Sequence, residues 1–549
     1  MLKLSKALLY VNTMRYLRPV QIYGRLWRDL YKPKPGLSPP PEVRPALGAS
    51  VQPAPKYRSL HGPSRFRFLN EEHDILSPAD WNHAGWADLW LYNLHYFDDL
   101  NAPGADARGQ WHRSLLARWV SENPPGEGIG WDPYPTSLRI VNWIKWVLAG
   151  NELPADCVHS LAVQARWLRK RLEWHILGNH LLANAKALVF AGCFFEGAEA
   201  DAMRAVGLRI LDGQLDEQVM PDGGHFELSP MYHALVLEDV LDLMNLQVAY
   251  PELRDIEARR ERWKDLSFKM LRWLAVMTHP DGEISFFNDA AFGMAPPPAE
   301  LNAYARRLGL RVPENDFDTL EHLENSGYLR LHGPHATALL DCAAIGPDYL
   351  PGHAHADTLS FELSVGRARL LVNSGTSCYG KGKERLRQRG TKAHNTVVVD
   401  GQDFSEVWAG FRVARRAYPT GPAMARENGE VAVSCSHDGY RRLPGKPSHR
   451  RKWLWRQEGL VVEDRVAGNF SHAEARFHVH PQWTAVYEQN GRGVFRLKDR
   501  TAVRWWVERG FPRLEPTTFH PEFGQEVASQ CLAVALADGL ARVHFEWQH

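Results

Sequence analysis

The stretch LPGHAHADTLSFEL, residues 350 to 363, sets His353 and His355 two positions apart and follows them with Asp357. An imidazole with an ordinary pKa of about 6.5 exchanges a proton around neutral pH, and its neutral form is a good metal ligand. Two histidines at this spacing on an extended chain share a face without having to converge on one ion. One can ligate a metal while the other points into a cleft, with His394 as a second ligand and Asn373 or Asp357 giving oxygen. Hydrogen-bonded histidines in a polar loop are the plainer reading of the same pair.

Two other stretches concentrate polar groups. In HILGNHLLANAKALVFAG, Asn179 and His180 follow Gly178 at a helix entrance, where an asparagine can cap exposed backbone N–H groups. In MPDGGHFELSPMYHALVLEDV, Ser229 and Pro230 form an N-cap and first-position pair, which puts Tyr232 and His233 in the first turn of a helix. The Gly-rich loop before it carries Asp222, His225 and Glu227, and loops on rigid scaffolds often hold binding groups. Taken singly, a cap and a packed aromatic account for these residues.

The elements that must position them change character along the chain. Residues 33 to 65 are Pro-rich and lack helical periodicity, so they are expected to form an extended arm. From about 86 to 310, segments such as SLRIVNWIKWVLAG, SLAVQARWLRKRLEW and ALVLEDVLDLMNLQVAY place apolar residues at helical spacing, which predicts helical hairpins packed side by side. No fixed-period repeat is visible, against a regular solenoid. From about 326 the runs become short and often alternate between Gly and Asp-Gly turns, predicting an antiparallel β domain. Helices first and strands afterwards means two domains in series. The expected divisions are an arm over 1–65, a helical domain over 66–322 and a β domain over 323–549.

At 549 residues the chain exceeds the size of a single core, and a net charge of +1 gives no global argument for nucleic acid or membrane partners. The six cysteines are scattered without a CxxC pair and read as reduced thiols. No apolar run is long enough to span a bilayer. The N-terminal segment lacks the features of a signal peptide, so a cytoplasmic location is the default, with periplasmic or cell-envelope association open. That segment mixes aromatics with Lys and Arg and reads as a helix docked on the protein, a surface-lying helix being the alternative.

In their order, GNHLLANAKALVFAG, DGGHFELSPMYHALVLEDV, GHAHADTLSFEL, LLVNSGT and RGTKAHNTVVVDG resemble the heparinase II/III-like family of polysaccharide lyases and its alginate-lyase relatives, over roughly residues 85 to 480. The resemblance implies an incomplete (α/α) toroid followed by an antiparallel β-sandwich, with the cleft between them. It implies β-elimination on a uronate polysaccharide, in which the C5 proton is removed, O4 leaves and an unsaturated sugar remains. Asn179 and His180 match the pair that neutralises the uronate carboxylate, Tyr232 the catalytic tyrosine and His353 the catalytic histidine. His355 and His394 match ligands of a structural zinc ion, and Asn373, a neutral and weaker oxygen donor, stands where metal-binding relatives carry aspartate.

Arg139, Arg385, Arg387 and Arg389 are candidate contacts to polymer carboxylates or sulfates, and Trp131, Tyr134 and Trp408 candidate sugar-stacking rings, with His225 and Glu227 nearby in the loop. The expected partner is an anionic polysaccharide or oligosaccharide. Two other classes stay open: a toroid-fold glycoside hydrolase using Asp222 and Glu227 as its acid and base, and a non-catalytic glycan-binding or exopolysaccharide assembly protein.

Overall fold

The computed structural model describes residues 2–547 apart from 315 and 428. Two helices, Leu2–Met14 and Pro19–Leu30, open the chain, and an extended arm follows. The arm laces across the helical layer: the Arg44 N–H donates to the Phe194 carbonyl, Gly48 to Ala249, and Val51 to the Asn245 side chain. Its end delivers the Lys56 amine to Glu238 at 2.7 Å.

The helical domain is built chiefly from Asp88–Tyr96, Gly109–Glu122, Pro133–Leu148, Ala155–Lys170, Gly178–Phe194, Ala198–Gln218, Pro230–Ala249, Arg260–Val276 and Pro298–Arg307. Gly178–Phe194 and Pro230–Ala249 are buried along nearly their whole lengths, as expected of the inner wall of a toroid. The outer helix Gly109–Glu122 buries only one stripe, His112, Leu115, Leu116 and Trp119. Ser229 caps the inner helix as its sequence predicts, its hydroxyl accepting from the Tyr232 N–H at 3.2 Å.

The β domain is a sandwich of two antiparallel sheets. One runs in the order 423–427, 430–437, 448–456, 459–467, 540–547, 502–509, 492–496, 484–487. The other runs 511–519, 527–535, 473–479, 368–371, 361–365, 336–341, 328–332, 320–323, with 397–399 paired to 473–479. Its first strand begins at Leu320, so the expected division after 322 falls inside a strand. Glu430–His437 and Ser448–Arg456 alternate buried with exposed or half-buried positions, the mark of a sheet with one face on a core. Ala336–Asp341 and Phe361–Val365 are buried on both faces, because the second sheet lies between its partner and the helical domain.

A separate apolar cluster seals that junction, with Trp273, Met277 and Phe287 packed on Tyr328 and Leu339. Polar contacts fix it further. The Tyr328 hydroxyl donates to the Leu228 carbonyl at 2.7 Å, and the buried His279 ring lies between the Ser364 hydroxyl at 2.8 Å and the Glu362 carboxylate at 2.9 Å. The walls of the interdomain cleft are therefore held in fixed relation.

Candidate active site

A cavity of about 750 Å³ opens where the two domains meet, lined in part by Asn179, His180, Tyr232 and His353. Asn179 and His180 sit in the first turn of Gly178–Phe194, after a sharp reversal at Leu177 and Gly178, both at positive φ. Glycine is needed there: a Cβ at 178 would stand 2.3 Å from a Leu350 methyl carbon and 3.3 Å from a Glu227 carboxylate oxygen. Asn179 thus lies inside the helix, not at its cap.

The His180 Nδ1 lies 3.1 Å from the Glu173 carboxylate, whose other oxygen accepts from the Asn184 amide. Burial alone would lower the His180 pKa, but the charge and hydrogen bond of Glu173 outweigh it and hold the imidazole above its ordinary value. Glu227, from the Gly-rich loop, approaches His353 Nε2 at 3.8 Å. Its carboxylate is buried, and burial pushes the carboxyl up against the pull of His353, His180 and the Asn179 N–H.

His353 and His355 do not ride on a strand. They lie in the loop before Phe361–Val365 and reach one carboxylate, Asp289, from two sides. His353 Nδ1 is 2.9 Å from one Asp289 oxygen, and His355 Nε2 is 2.8 Å from the other. Arg385 grips both oxygens of the same fully buried carboxylate. Burial would raise the Asp289 pKa, yet Arg385 and the two imidazoles hold it well below the usual carboxylate range. The ionised Asp289 makes His353 Nδ1 a donor, so that in the neutral ring the lone pair sits on Nε2.

The loop itself is pinned by backbone contacts. The Asp289 N–H donates to the His353 carbonyl at 2.9 Å, the Asn288 side chain accepts from the His355 N–H at 2.9 Å, and Arg389 donates to the Ala354 carbonyl at 2.8 and 2.9 Å. The His353 ring stacks on Tyr232 with centroids 3.8 Å apart, and the Tyr232 hydroxyl meets that of Tyr379 at 2.9 Å. Burial, with Tyr379 and Asp289 adding to it, raises the Tyr232 pKa well above 10, so the phenol keeps its proton. A proton-holding phenol and an imidazole with a free nitrogen are thus in contact at one point of the cleft.

Several expected substrate contacts lie elsewhere. Arg139 is fully buried, donating to Gln164 and to the His95 and Gly130 carbonyls. Trp131 is in the helical core, and its indole N–H donates to the Asn123 carbonyl. His225 is fully buried beside Gln218. Arg389 and Arg385 hold the His353 loop and Asp289 instead of facing the cleft, and Arg387 pairs with Glu384. Trp408 packs against Tyr10, and its N–H donates to Thr13 of the first helix. Tyr134 does line the cavity, its ring tilted against that of His180 with centroids 4.4 Å apart. Asp222 is spent on a turn and on Ser326 across the domain junction, so it does not pair with Glu227 across the cleft.

Asp289, Tyr379, Glu173 and the ring of Trp86 on the cavity wall were not singled out from the sequence. Asn288 and Asp289 interrupt the apolar run ISFFNDAAFG, a polar pair that such a run does not need. That was the available signal.

The three expected zinc ligands come together around His394. Its Nδ1 is 3.2 Å from the Asn373 amide oxygen, and its ring centroid is 5.2 Å from that of His355. His355 Nδ1 and His394 Nε2 are buried without a hydrogen-bond partner. Burial lowers both pKa values, that of His355 to about 4, so each ring is neutral and offers a lone pair. The Asn373 oxygen already receives His394 Nδ1 and the Asn395 N–H, so it steadies a ring more than it supplies a ligand. The two imidazoles, each backed by an oxygen acceptor, offer two lone pairs, fewer than the three or four protein ligands a zinc ion takes, so the described residues supply only part of such a site.

The chain matches the Heparinase II/III N-terminus model over residues 116–304 and the Heparinase II/III-like, C-terminal model over 318–543. It is 28% identical over 252 residues to a heparin-sulfate lyase of Bacteroides stercoris, a match that takes in 42% of this chain and 36% of that one. It is 27% identical over 449 residues to the FtsZ-localized protein C of Caulobacter vibrioides, covering 76% of this chain and 73% of the relative. The solved structure of a heparan sulfate lyase mutant from Pedobacter heparinus superposes with a TM-score of 0.60 at 16% identity, over 88% of this chain and 81% of that one.

Proposed function

Because the chain belongs to the heparinase II/III-like family, we propose that it is a polysaccharide lyase that cleaves a uronate-containing polymer by β-elimination. The observation that carries this reading is the Tyr232–His353 contact, with His353 fixed through Nδ1 by the ionised Asp289. The reaction needs the uronate carboxylate neutralised, a base at C5 and an acid at O4. His180, whose pKa Glu173 holds above the ordinary imidazole value, and the Asn179 amide line the cleft and supply donors for the carboxylate. His353 Nε2 takes the C5 proton, the C4–C5 double bond forms as the C4–O4 bond breaks, and Tyr232 gives its proton to O4. Raised well above 10, Tyr232 is the acid and not the base of this scheme.

The cleft lining supports a polymer of low sulfation. Three amines reach it, Lys56, Lys145 and Lys186, and each is already paired with Glu238, Asp239 or Asp242. No arginine lines the cavity among the described residues. Sulfate groups would meet a wall with no uncommitted cation, whereas one carboxylate per repeat is met at Asn179 and His180. If a zinc ion binds, His355 and His394 would be two of its ligands, and it would tie the His353 loop to the segment before Val397–Val399.

The test is a panel of sulfated and unsulfated uronate polymers scored for new ultraviolet absorbance from the conjugated double bond. Absorbance with an unsulfated polymer that disappears in Tyr232→Phe and His353→Ala is expected, and full activity in both variants would overturn the assignment. A second reading, a role at the division apparatus without polymer cleavage, rests on the breadth of the match to the FtsZ-localized relative. It predicts no unsaturated product from any polymer.

A further inference from the structure

The helix Pro19–Leu30 is amphipathic in the wrong sense for a helix docked only on its own protein. The face turned to the helical domain is mostly polar or small, with Val20 its one apolar side chain packed on the core. Gln21 donates to the Tyr349 carbonyl at 3.1 Å, and Gly24 lies against His175, where a Cβ would come within 3.2 Å of the histidine Cβ. The Arg18 guanidinium sits 3.7 Å over the Tyr349 ring and pairs with Glu217. The opposite face carries Ile22, Tyr23, Leu26, Trp27 and Leu30, all between 45% and 81% exposed. At about 100° per residue these five occupy one continuous arc of roughly 140°.

Other apolar side chains nearby in the chain or in the adjoining groove are also open to solvent. Leu8, Val11 and Met14 of the first helix are also exposed, as is Trp174 beside the second. Trp27 and Tyr31 stack with ring centroids 5.0 Å apart while both remain open to solvent. Scattered apolar residues on a surface need no explanation, but a contiguous patch of this size marks an interaction site.

Charge identifies the occupant. Residues 1–34 contain eight Lys and Arg and the single acid Asp29, in a chain whose overall net charge is only +1. Arg25 lies beside the apolar arc, Lys32 and Lys34 follow it in the chain, and Lys170 lines the adjoining groove, while Arg28 falls on the docked side next to His175. Aliphatic side chains at the centre, Trp and Tyr beside them and Lys and Arg around the rim match a bilayer interface of negative surface charge. We propose that the N-terminal helical pair is an interfacial platform that docks the protein on anionic lipid. Arg18 and Gln21 both hold Tyr349, four residues before His353, so docking acts on a surface rigidly joined to the catalytic loop.

The full chain should sediment with phosphatidylglycerol-containing vesicles at least about tenfold more strongly than with pure phosphatidylcholine vesicles, and added salt should weaken that binding. Leu26→Glu with Trp27→Glu should reduce vesicle binding by a similar factor and leave the thermal midpoint unchanged, since both side chains are more than 60% exposed. Arg25→Glu with Lys32→Glu should remove the preference for anionic lipid. Equal sedimentation of wild type and the Leu26/Trp27 variant would overturn the proposal, as would no sedimentation with anionic vesicles. A wild-type dimer that becomes monomeric in that variant, without lipid binding by either, would assign the face to a second copy of the chain and overturn it equally.

Discussion

Asp289→Asn isolates the group on which the proposed base depends. The carboxylate receives His353 at 2.9 Å, His355 at 2.8 Å and both terminal nitrogens of Arg385, and it is fully buried. Asparagine keeps the volume but has one acceptor oxygen and turns an N–H₂ toward groups that are themselves donors. Arg385 then sits buried without its counter-charge, a loss of about 3–5 kcal/mol of stability. His353 loses the partner that fixes its tautomer, and a fall in kcat of roughly 10²- to 10⁴-fold is expected from the comparable histidine–aspartate case. The folded-state pKa of Asp289 is depressed, so its contribution to stability is full above the unfolded value of about 4 and is lost as pH falls through the folded value. The stability gap between wild type and variant should therefore narrow under acid conditions. Denaturant unfolding across pH and product absorbance at saturating polymer measure the two effects separately. A variant that loses stability as expected but keeps kcat within about twofold would refute the idea that Asp289 orients a catalytic His353.

Tyr232→Phe removes only the hydroxyl, keeps the ring stacked on His353, and should lower kcat by about 10²- to 10⁴-fold with an unchanged thermal midpoint. Glu173→Gln takes away the charge that raises His180. The high-pH limb of kcat/KM, where His180 loses its proton, should then move to lower pH. For the same reason the stability owed to this pair is full below the unfolded histidine pKa of about 6.5 and lost as pH rises through the folded value, a dependence the variant should not show. His394→Ala or chelation should reduce thermal stability more than kcat, because no proposed step passes through the ion. A kinetic effect without a change in midpoint would instead give the ion a chemical part.

The division into helices and strands could be read from the sequence because the apolar period is local information. SLRIVNWIKWVLAG makes up most of Pro133–Leu148 and ATALLDCAAIG contains Ala336–Asp341, although that strand is buried on both faces and not on alternate residues. Ser229 was legible for a similar reason, since a cap acts on N–H groups three residues away. The substrate-binding arginines were not. Charge type says that a guanidinium needs partners but not whether they are polymer groups or buried carbonyls, and Arg139 and Arg389 found carbonyls. Rings were equally ambiguous: Trp131 fills the helical core while Trp86 lines the cleft.

What the sequence by itself determined was the inventory of chemical groups and the two kinds of domain, because both follow from residue type and short-range period. Only the tertiary structure decided how the groups are used. Asp289 is 64 residues from His353 and 96 from Arg385, and nothing local in the chain joins them. They meet because the apolar seal between the domains forces the ISFFNDAAFG segment against the His353 loop. In that dry junction a carboxylate can stay charged only by gathering cations and donors. That requirement turns two histidines that look alike in the sequence into one free to face the cleft and one held in the interior.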